Sequence, residues 1–345
     1  MSLPPSSATP DAAPPSHESA DLPRPMPRAV RALVAVALLA GAIAVPFVLG
    51  SRYYLGIAHQ VLIFIILASG YNILLGYTGL VSLGHIALFA IGAYASAIIV
   101  VDLGVPFVFG LPLAAAVATL AGVLVAVPAL RIKGHYLTLL TLALGEAVRL
   151  VLRNLDWLTG GSNGFAGIPR PSLFGLTAKS AFSLYFVLLA FAVVAVVFVW
   201  GLERSRFGRA FKAIRDAEIG AEVSGVDTAR MKVIAFAISA AYAGVAGSLY
   251  AHTMRFISPE FFSLGLTITL LAMVLIGGRG TVLGPVLAAI LLTTAPEAFR
   301  FLKEYYLILF GLMIYLCVLF LPEGLAGLLG RIRWPRRARS AGGGR

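Results

Sequence analysis

The chain is short of charge: Asp, Glu, Lys and Arg make up 12% of its 345 residues, with 15 acidic against 27 basic. Soluble domains carry about a quarter charged residues, so a water-facing globule of this length is excluded. The single cysteine, Cys317, permits no internal disulfide and lies in an apolar run, where it reads as a small packing residue. No GxxxxGK[ST] loop occurs, so nothing in the chain cradles nucleotide phosphates. No His-Glu-x-x-His or paired-cysteine pattern occurs either. The five histidines, His17, His59, His85, His135 and His252, are too scattered in sequence to suggest a metal site.

What is abundant is apolar surface: 59% of residues are hydrophobic and the mean hydropathy is +0.93. A helix crossing a bilayer needs about 20 mostly apolar residues, because the hydrocarbon is roughly 30 Å thick. Runs of that kind fall near 31–50, 55–75, 82–101, 107–129, 136–154, 181–200, 232–251, 264–282, 284–300 and 304–321. The expectation is an all-α polytopic transmembrane bundle of about ten helices, with eight as the lower bound. The runs near 82, 136 and 284 are interrupted by Gly, Pro or charge, which predicts Gly-rich broken or re-entrant segments there.

The net charge of +12 comes from basic residues placed between the apolar runs. There they orient a membrane protein and meet anionic lipid, so a nucleic-acid partner is not required. An inside N-terminus puts most Lys and Arg on the cytoplasmic side, including Arg131, Lys133, Arg204, Arg206, Arg209, Lys212 and Arg215. Both termini are then cytoplasmic. Residues 1–28, rich in Pro, Ser and Ala, read as a disordered cytoplasmic tail. Residues 29–329 read as the membrane domain and 330–345 as a basic cytoplasmic tail. The first apolar run is long and follows Arg24, Arg28 and Arg31, which favours an uncleaved helix over a signal peptide.

Two connections exceed a turn. Residues 154–180 are dense in Gly, Pro, Ser and Asn and should form an irregular outer loop. There Thr159, Gly160, Gly161, Asn163 and Gly164 could act as a nest of main-chain donors for a docked partner or anion, or simply as a capped turn. Residues 201–231 form the largest cytoplasmic loop, helical in composition through 211–223 with Gly225 placed as a stop.

Several stretches together resemble the Liv-type permease family of branched-chain amino-acid ABC importers. They are YNILLGYTGLVSLGHIALFAIGAYASA (71–97), YLTLLTLALGEAVRLVLRN (136–154), LTGGSNGFAGIP (158–169), the segment SRFGRAFKAIRDAEIGAEVSGVDTARMKVIAFAISAAYAGVAGSLYAH (205–252), FISPEFFS (256–263), LIGGRGTVLGPVLAAI (275–290) and LPEGLAGL (321–328). Seven such stretches in order make the resemblance specific.

The resemblance implies an inner-membrane subunit that moves hydrophobic amino acids by alternating access and does no covalent chemistry. It also implies partners: a second related permease, two cytoplasmic ATP-binding subunits that hold ATP and Mg, and a periplasmic substrate-binding protein. It places the ATPase-docking helix at Ala217, Glu218, Gly220, Ala221, Glu222 and Gly225, where small residues allow close approach and charges set register. The order departs from the strict Glu-Ala-Ala of ABC permeases.

Polar groups at membrane depth supply the candidate translocation path. Glycines around Asn72, Gly76, Thr78, Gly79, Ser82 and His85 allow a helix to unwind toward a cavity, and Gly277, Gly278 and Gly280 form a similar cluster. Glu146 falls near the midplane with Arg149 and Arg153 on the same face; it either contacts substrate or pairs with Arg149 for packing. Two other functional readings stay open: a permease of the same family for urea or short amides, and a stand-alone ion-coupled transporter.

Overall fold

The computed structural model describes residues 28–129, 135–173, 176–178, 180–299, 305–320 and 324–331. The expected N-terminal tail before Arg28, the basic tail after Arg331, and Arg131 and Lys133 lie outside the described residues.

The helices are α1 Arg28–Leu49, α2 Arg52–Asn72, α3 His85–Val101, α4 Phe107–Ala129, α5 His135–Asn154, α6 Asp156–Thr159, α7 Ala181–Arg204, α8 Arg206–Asp216, α9 Glu218–Val223, α10 Thr228–Met254, α11 Leu264–Gly277, α12 Leu283–Ala298, α13 Tyr306–Phe320 and α14 Gly324–Arg331. Each of the ten apolar runs coincides with a helix. Among the described residues, four segments are long and apolar enough to cross a membrane: Arg52–Tyr77, Phe107–Pro128, Ala181–Arg204 and Thr228–Met254. Five shorter apolar helices accompany them: Leu39–Val48, His85–Val101, Leu264–Gly277, Leu283–Ala298 and Ile308–Cys317. α5 stands apart because Glu146, Arg149 and Arg153 give it a charged flank.

α10 is the hub, packed against α2, α3 and α4. Its periodicity is weak because it is covered on nearly every side, as expected for a helix at the centre of a bundle. Since lipid tails are as apolar as leucine, helices here are held by close backbone contact and interhelical hydrogen bonds. Both are visible around α10. A Cβ added at Gly92 of α3 would lie 2.5 Å from the Gly244 Cα of α10. The Ser239 Oγ donates to the Gly70 carbonyl at 2.8 Å and the Tyr242 hydroxyl to the Ala195 carbonyl at 2.7 Å. By contrast α4 turns Phe109, Leu113, Leu120 and Leu124 outward, an exposed apolar stripe suited to lipid.

The chain reverses differently at the two ends. At one end α8 and α9 project between α7 and α10. At the other, the two-residue strand Phe165–Ala166 pairs antiparallel with Phe256–Ile257 and ties the 154–180 connection to the segment after α10. His252 reinforces this tie: its Nδ1 donates to the Pro169 carbonyl at 2.7 Å, and its Nε2 lies 3.1 Å from the Ser96 Oγ.

Replacing Gly92 with Leu should force α3 and α10 apart at a cost of about 1–3 kcal/mol, the usual penalty for overpacking. Thermal unfolding of the detergent-solubilised protein should shift down by several degrees. Gly201→Ala, at an exposed site with nothing within 4 Å of the added carbon, should not lower it.

Candidate functional site

At the α8–α9 end, α2 does not stop at Asn72 but winds into a π-helix over Ile73–Tyr77. The wider turn disturbs the regular carbonyl ladder, and neighbours complete it. The Gly76 carbonyl accepts from Arg215 Nη1 at 3.0 Å, and the Thr78 hydroxyl donates to the Leu74 carbonyl. Asn72, fully buried, behaves like an extra peptide group: its Nδ2 donates to the Thr281 carbonyl at 2.9 Å while its Oδ1 accepts from the Gly280 amide at 3.0 Å. The two glycine clusters, far apart in sequence, therefore meet in space. Gly280 has a φ of +70°, and a Cβ on Gly76 would come within 2.5 Å of its amide nitrogen. Gly277 packs closely on Gly284, Gly278 on Gly324, and Gly79 on Arg215.

Asn72 thus spends its amide on the chain reversal between α11 and α12 rather than on an open cavity. Ser82 is buried beside an apolar cavity of about 220 Å³ bounded by α3, α4, α5 and α10. His85 is buried against the Tyr71 ring, with centroids 4.9 Å apart, and its ring nitrogens have no hydrogen-bond partner among the described residues. The loop that carries Ser82 and leads into His85 hangs on α5, where the Thr141 hydroxyl accepts from the Leu83 amide at 3.1 Å.

The connection expected to be one helix over 211–223 is two. Ser205 caps α8, accepting from the Phe207 and Gly208 amides, and Phe211 and Ile214 bury one face. Ala217 is extended, with φ −159° and ψ 100°, and redirects the chain into α9. Lys212 binds Glu203 at 2.9 Å, so α8 is held to α7 as well as to α2. α9 is held only at its edges: Glu218 pairs with Lys232, Glu222 accepts from the Thr228 hydroxyl at 2.8 Å, and Ala221 alone of its residues is buried. Gly220 contacts Ala217, and Gly225, with φ +84°, turns the chain toward α10. Ile219 and Val223, one helical turn apart, are 78% and 84% exposed.

The second polar constellation lies on α5. Glu146 is eleven residues from His135, about 16 Å along the helix and so near its middle. Its Oε2 is 2.8 Å from Arg149 Nε; Arg149 also reaches Glu260 at 3.3 Å, and Arg153 reaches Glu260 at 3.7 Å. Glu260 belongs to the hairpin between α10 and α11, so these bonds cross from that hairpin to α5. One face of α5 is apolar and uncovered, with Tyr136, Leu139, Leu150 and Val151 exposed.

At the opposite end from α9, the glycine turn satisfies itself. Thr159 is buried, and its hydroxyl donates to Leu152 and Leu155 carbonyls. The amides of Gly160, Gly161, Asn163 and Gly164 donate to Asp156, Thr159, Gly160 and Gly161 in turn. This is the geometry of a capped turn. Asn163 and the 81% exposed Trp157 are what it offers outward.

Arg215, Thr141, Glu260, His252, Ile219 and Val223 were not singled out from sequence. Arg215 carried only a general signal, as one basic residue among several between apolar runs, and Glu260 sat unremarked within FISPEFFS.

No solved structure matches the chain. Among curated proteins it is 39% identical over 316 residues to the high-affinity branched-chain amino acid transport system permease protein LivM of Escherichia coli K12, covering 85% of this chain and 74% of that one. It is 26% identical over 244 residues to the probable branched-chain amino acid transport permease protein LivM of Methanocaldococcus jannaschii, covering 66% and 69%. A shorter match, 33% over 178 residues and about half of each chain, is to the autoinducer 2 import system permease protein LsrC of Salmonella paratyphi B. Residues 53–318 match the family model described as branched-chain amino acid transport system / permease component, and the chain belongs to that family.

Proposed function

We propose that this subunit imports branched-chain amino acids across the inner membrane by ATP-driven alternating access. It works with a second, related permease, two cytoplasmic ATP-binding subunits and a periplasmic binding protein. ATP and Mg reside on the ATP-binding subunits, and this chain holds no cofactor. The α8–α9 end faces the cytoplasm, in keeping with its basic residues Arg206, Arg209, Lys212 and Arg215, and both termini lie on that side.

One observation carries the reading. α9 leaves Ile219 and Val223 exposed, while α8, which precedes it directly in the chain, is bonded through Arg215 to the π-turn of α2 and from there through Asn72 to the α11–α12 reversal. A partner that moves α9 pulls on two membrane helices at once. That is how nucleotide-driven closure of the ATPase pair becomes a differential stabilisation of two states of the bundle. The names of the LivM relatives favour branched-chain amino acids over urea or short amides as cargo. The exposed apolar surface of α5, beside a charged flank too costly to leave in lipid, suits the second permease, with the path running along the seam. The exposed Trp157 and Asn163 suit the binding protein at the other end.

In vesicles holding the complete assembly, leucine uptake should require ATP inside and binding protein outside. Uphill leucine accumulation by this polypeptide alone would overturn the proposal. Val223→Asp, Glu222→Arg and Gly225→Val should insert normally yet lower substrate-stimulated ATP hydrolysis at least tenfold. For Gly225 the cause is backbone strain of about 1–2 kcal/mol, since a Cβ there meets nothing within 4 Å.

Arg215→Ala should act differently. The ATP-binding subunits should still co-purify, but losing a hydrogen bond from a charged donor, worth about 1.5–3 kcal/mol, should cut leucine moved per ATP hydrolysed about tenfold. Unchanged coupling would show that force reaches the bundle by another route.

A further inference from the structure

The Glu146–Arg149 pair is an unusual way to spend charge in a membrane helix. Both residues lie on α5, one turn apart, so their 2.8 Å bond ties no two elements together. Arg149 does have a tying role, through Glu260. Glu146 has none: its Oε2 is used on Arg149, and its side chain is 40% exposed. A pair that serves only packing is readily replaced by apolar residues, often with a gain in stability. Here it stands near the middle of α5, on the flank of the face left uncovered by the rest of the chain.

What surrounds Glu146 is equally specific. It lines a narrow opening where α5 meets the start of α3 and the start of α11. Leu83, Ile86, Leu142 and Leu264 supply apolar walls, and Ser263 and Thr267 bring hydroxyl side chains. In this conformation the opening holds only about 10 Å³, too little for an amino acid. Two of its three sides, the loop before α3 and the α10–α11 hairpin, are chain reversals. α11 is joined directly to the reversal that Asn72 holds, so it lies on the route by which α8 would move the bundle.

We propose that Glu146 and Arg149 form the subsite that reads the zwitterionic head of the amino acid as it crosses. This rests on the import function proposed above and names the chemistry that the path recognises. An α-amino acid carries an ammonium and a carboxylate on one carbon atom. Inserted between the two side chains, its ammonium replaces Arg149 as the partner of Glu146, and its carboxylate takes the guanidinium, whose fork suits a two-oxygen acceptor. Four charges then alternate in sign with no net charge added, which lowers the cost of carrying a zwitterion through a region that cannot hydrate it. Glu260 and Arg153, the other charges on this flank, keep Arg149 aimed while Glu146 is engaged. The branched side chain lies toward Leu83, Ile86, Leu142 and Leu264.

The test uses the complete assembly in vesicles with leucine-loaded binding protein. Glu146→Gln combined with Arg149→Gln removes both charges of the pair, and Glu260, which then loses Arg149, keeps Arg153 as its partner. It should keep assembly and thermal stability near wild type yet lower the maximal uptake rate at least tenfold, with little change in the concentration of loaded binding protein that gives half the maximal rate. A packing pair would tolerate the neutral pair, so uptake at the wild-type rate would overturn the subsite while leaving the import function standing. Arg149→Lys, which keeps a cation in place, should retain several-fold more uptake than Arg149→Gln; equal loss in the two overturns it as well. Failure of the wild-type assembly to import leucine at all would instead remove the function on which the subsite rests.

Discussion

Hydrocarbon offers no hydrogen bonds, so every place where a membrane helix leaves its regular ladder must be completed by another part of the protein. The π-turn at Ile73–Tyr77 is the place in this chain where that constraint has the widest consequences. The turn frees the Gly76 carbonyl, and what completes it is Arg215, a residue of a helix outside the apolar bundle. The chemical need of a broken helix thereby becomes a mechanical connection between the bundle and its surface loop. Asn72 extends the connection by standing in for a peptide group against Gly280 and Thr281. The glycines at 76 and 280 are required because the two backbones approach too closely for side chains.

The helices were legible from sequence because a run of about 20 apolar residues has one stable solution in lipid. The runs at 107–129 and 136–154 agree with the observed ends of α4 and α5 to within a residue. The Glu146–Arg149 contact was legible too, since spacing of i and i+3 puts side chains on one face whatever the rest of the fold does. The contact between the glycine clusters was not. Their likeness in sequence said nothing about proximity, and only the packing of α2 against α12 brings Asn72 to Gly280. The break at Ala217 was hidden for a related reason. Alanine is the best helix former, and the chain turns there because Phe211 and Ile214 are drawn inward while Ile219 and Val223 are left out.

The same logic separates the two ends of the molecule. The glycine turn at 160–164 carries positive φ values that would suit an anion nest, yet the amides of Gly160, Gly161, Asn163 and Gly164 are already spent within the turn. Positive φ shows that a turn is tight; whether its donors are free depends on what else has arrived. At the α9 end the opposite holds. α9 has only one buried residue and is held by Glu218, Glu222 and Gly225 at its margins, so the apolar side chains of Ile219 and Val223 are left exposed.

These observations assign different work to charge at different depths. Lys212 and Arg215, at the α8 end, use charge to fasten elements: one to Glu203 of α7, the other to the α2 turn. Arg153 and Glu260 do the same between α5 and the α10–α11 hairpin. Glu146 fastens nothing. It sits near the middle of α5, on the same helix as its partner, beside an opening whose remaining walls are apolar or hydroxylic. Within the described residues its charge is answered only from its own helix, by Arg149. The cargo named for the LivM relatives is a class of molecule that carries two opposite charges into the membrane.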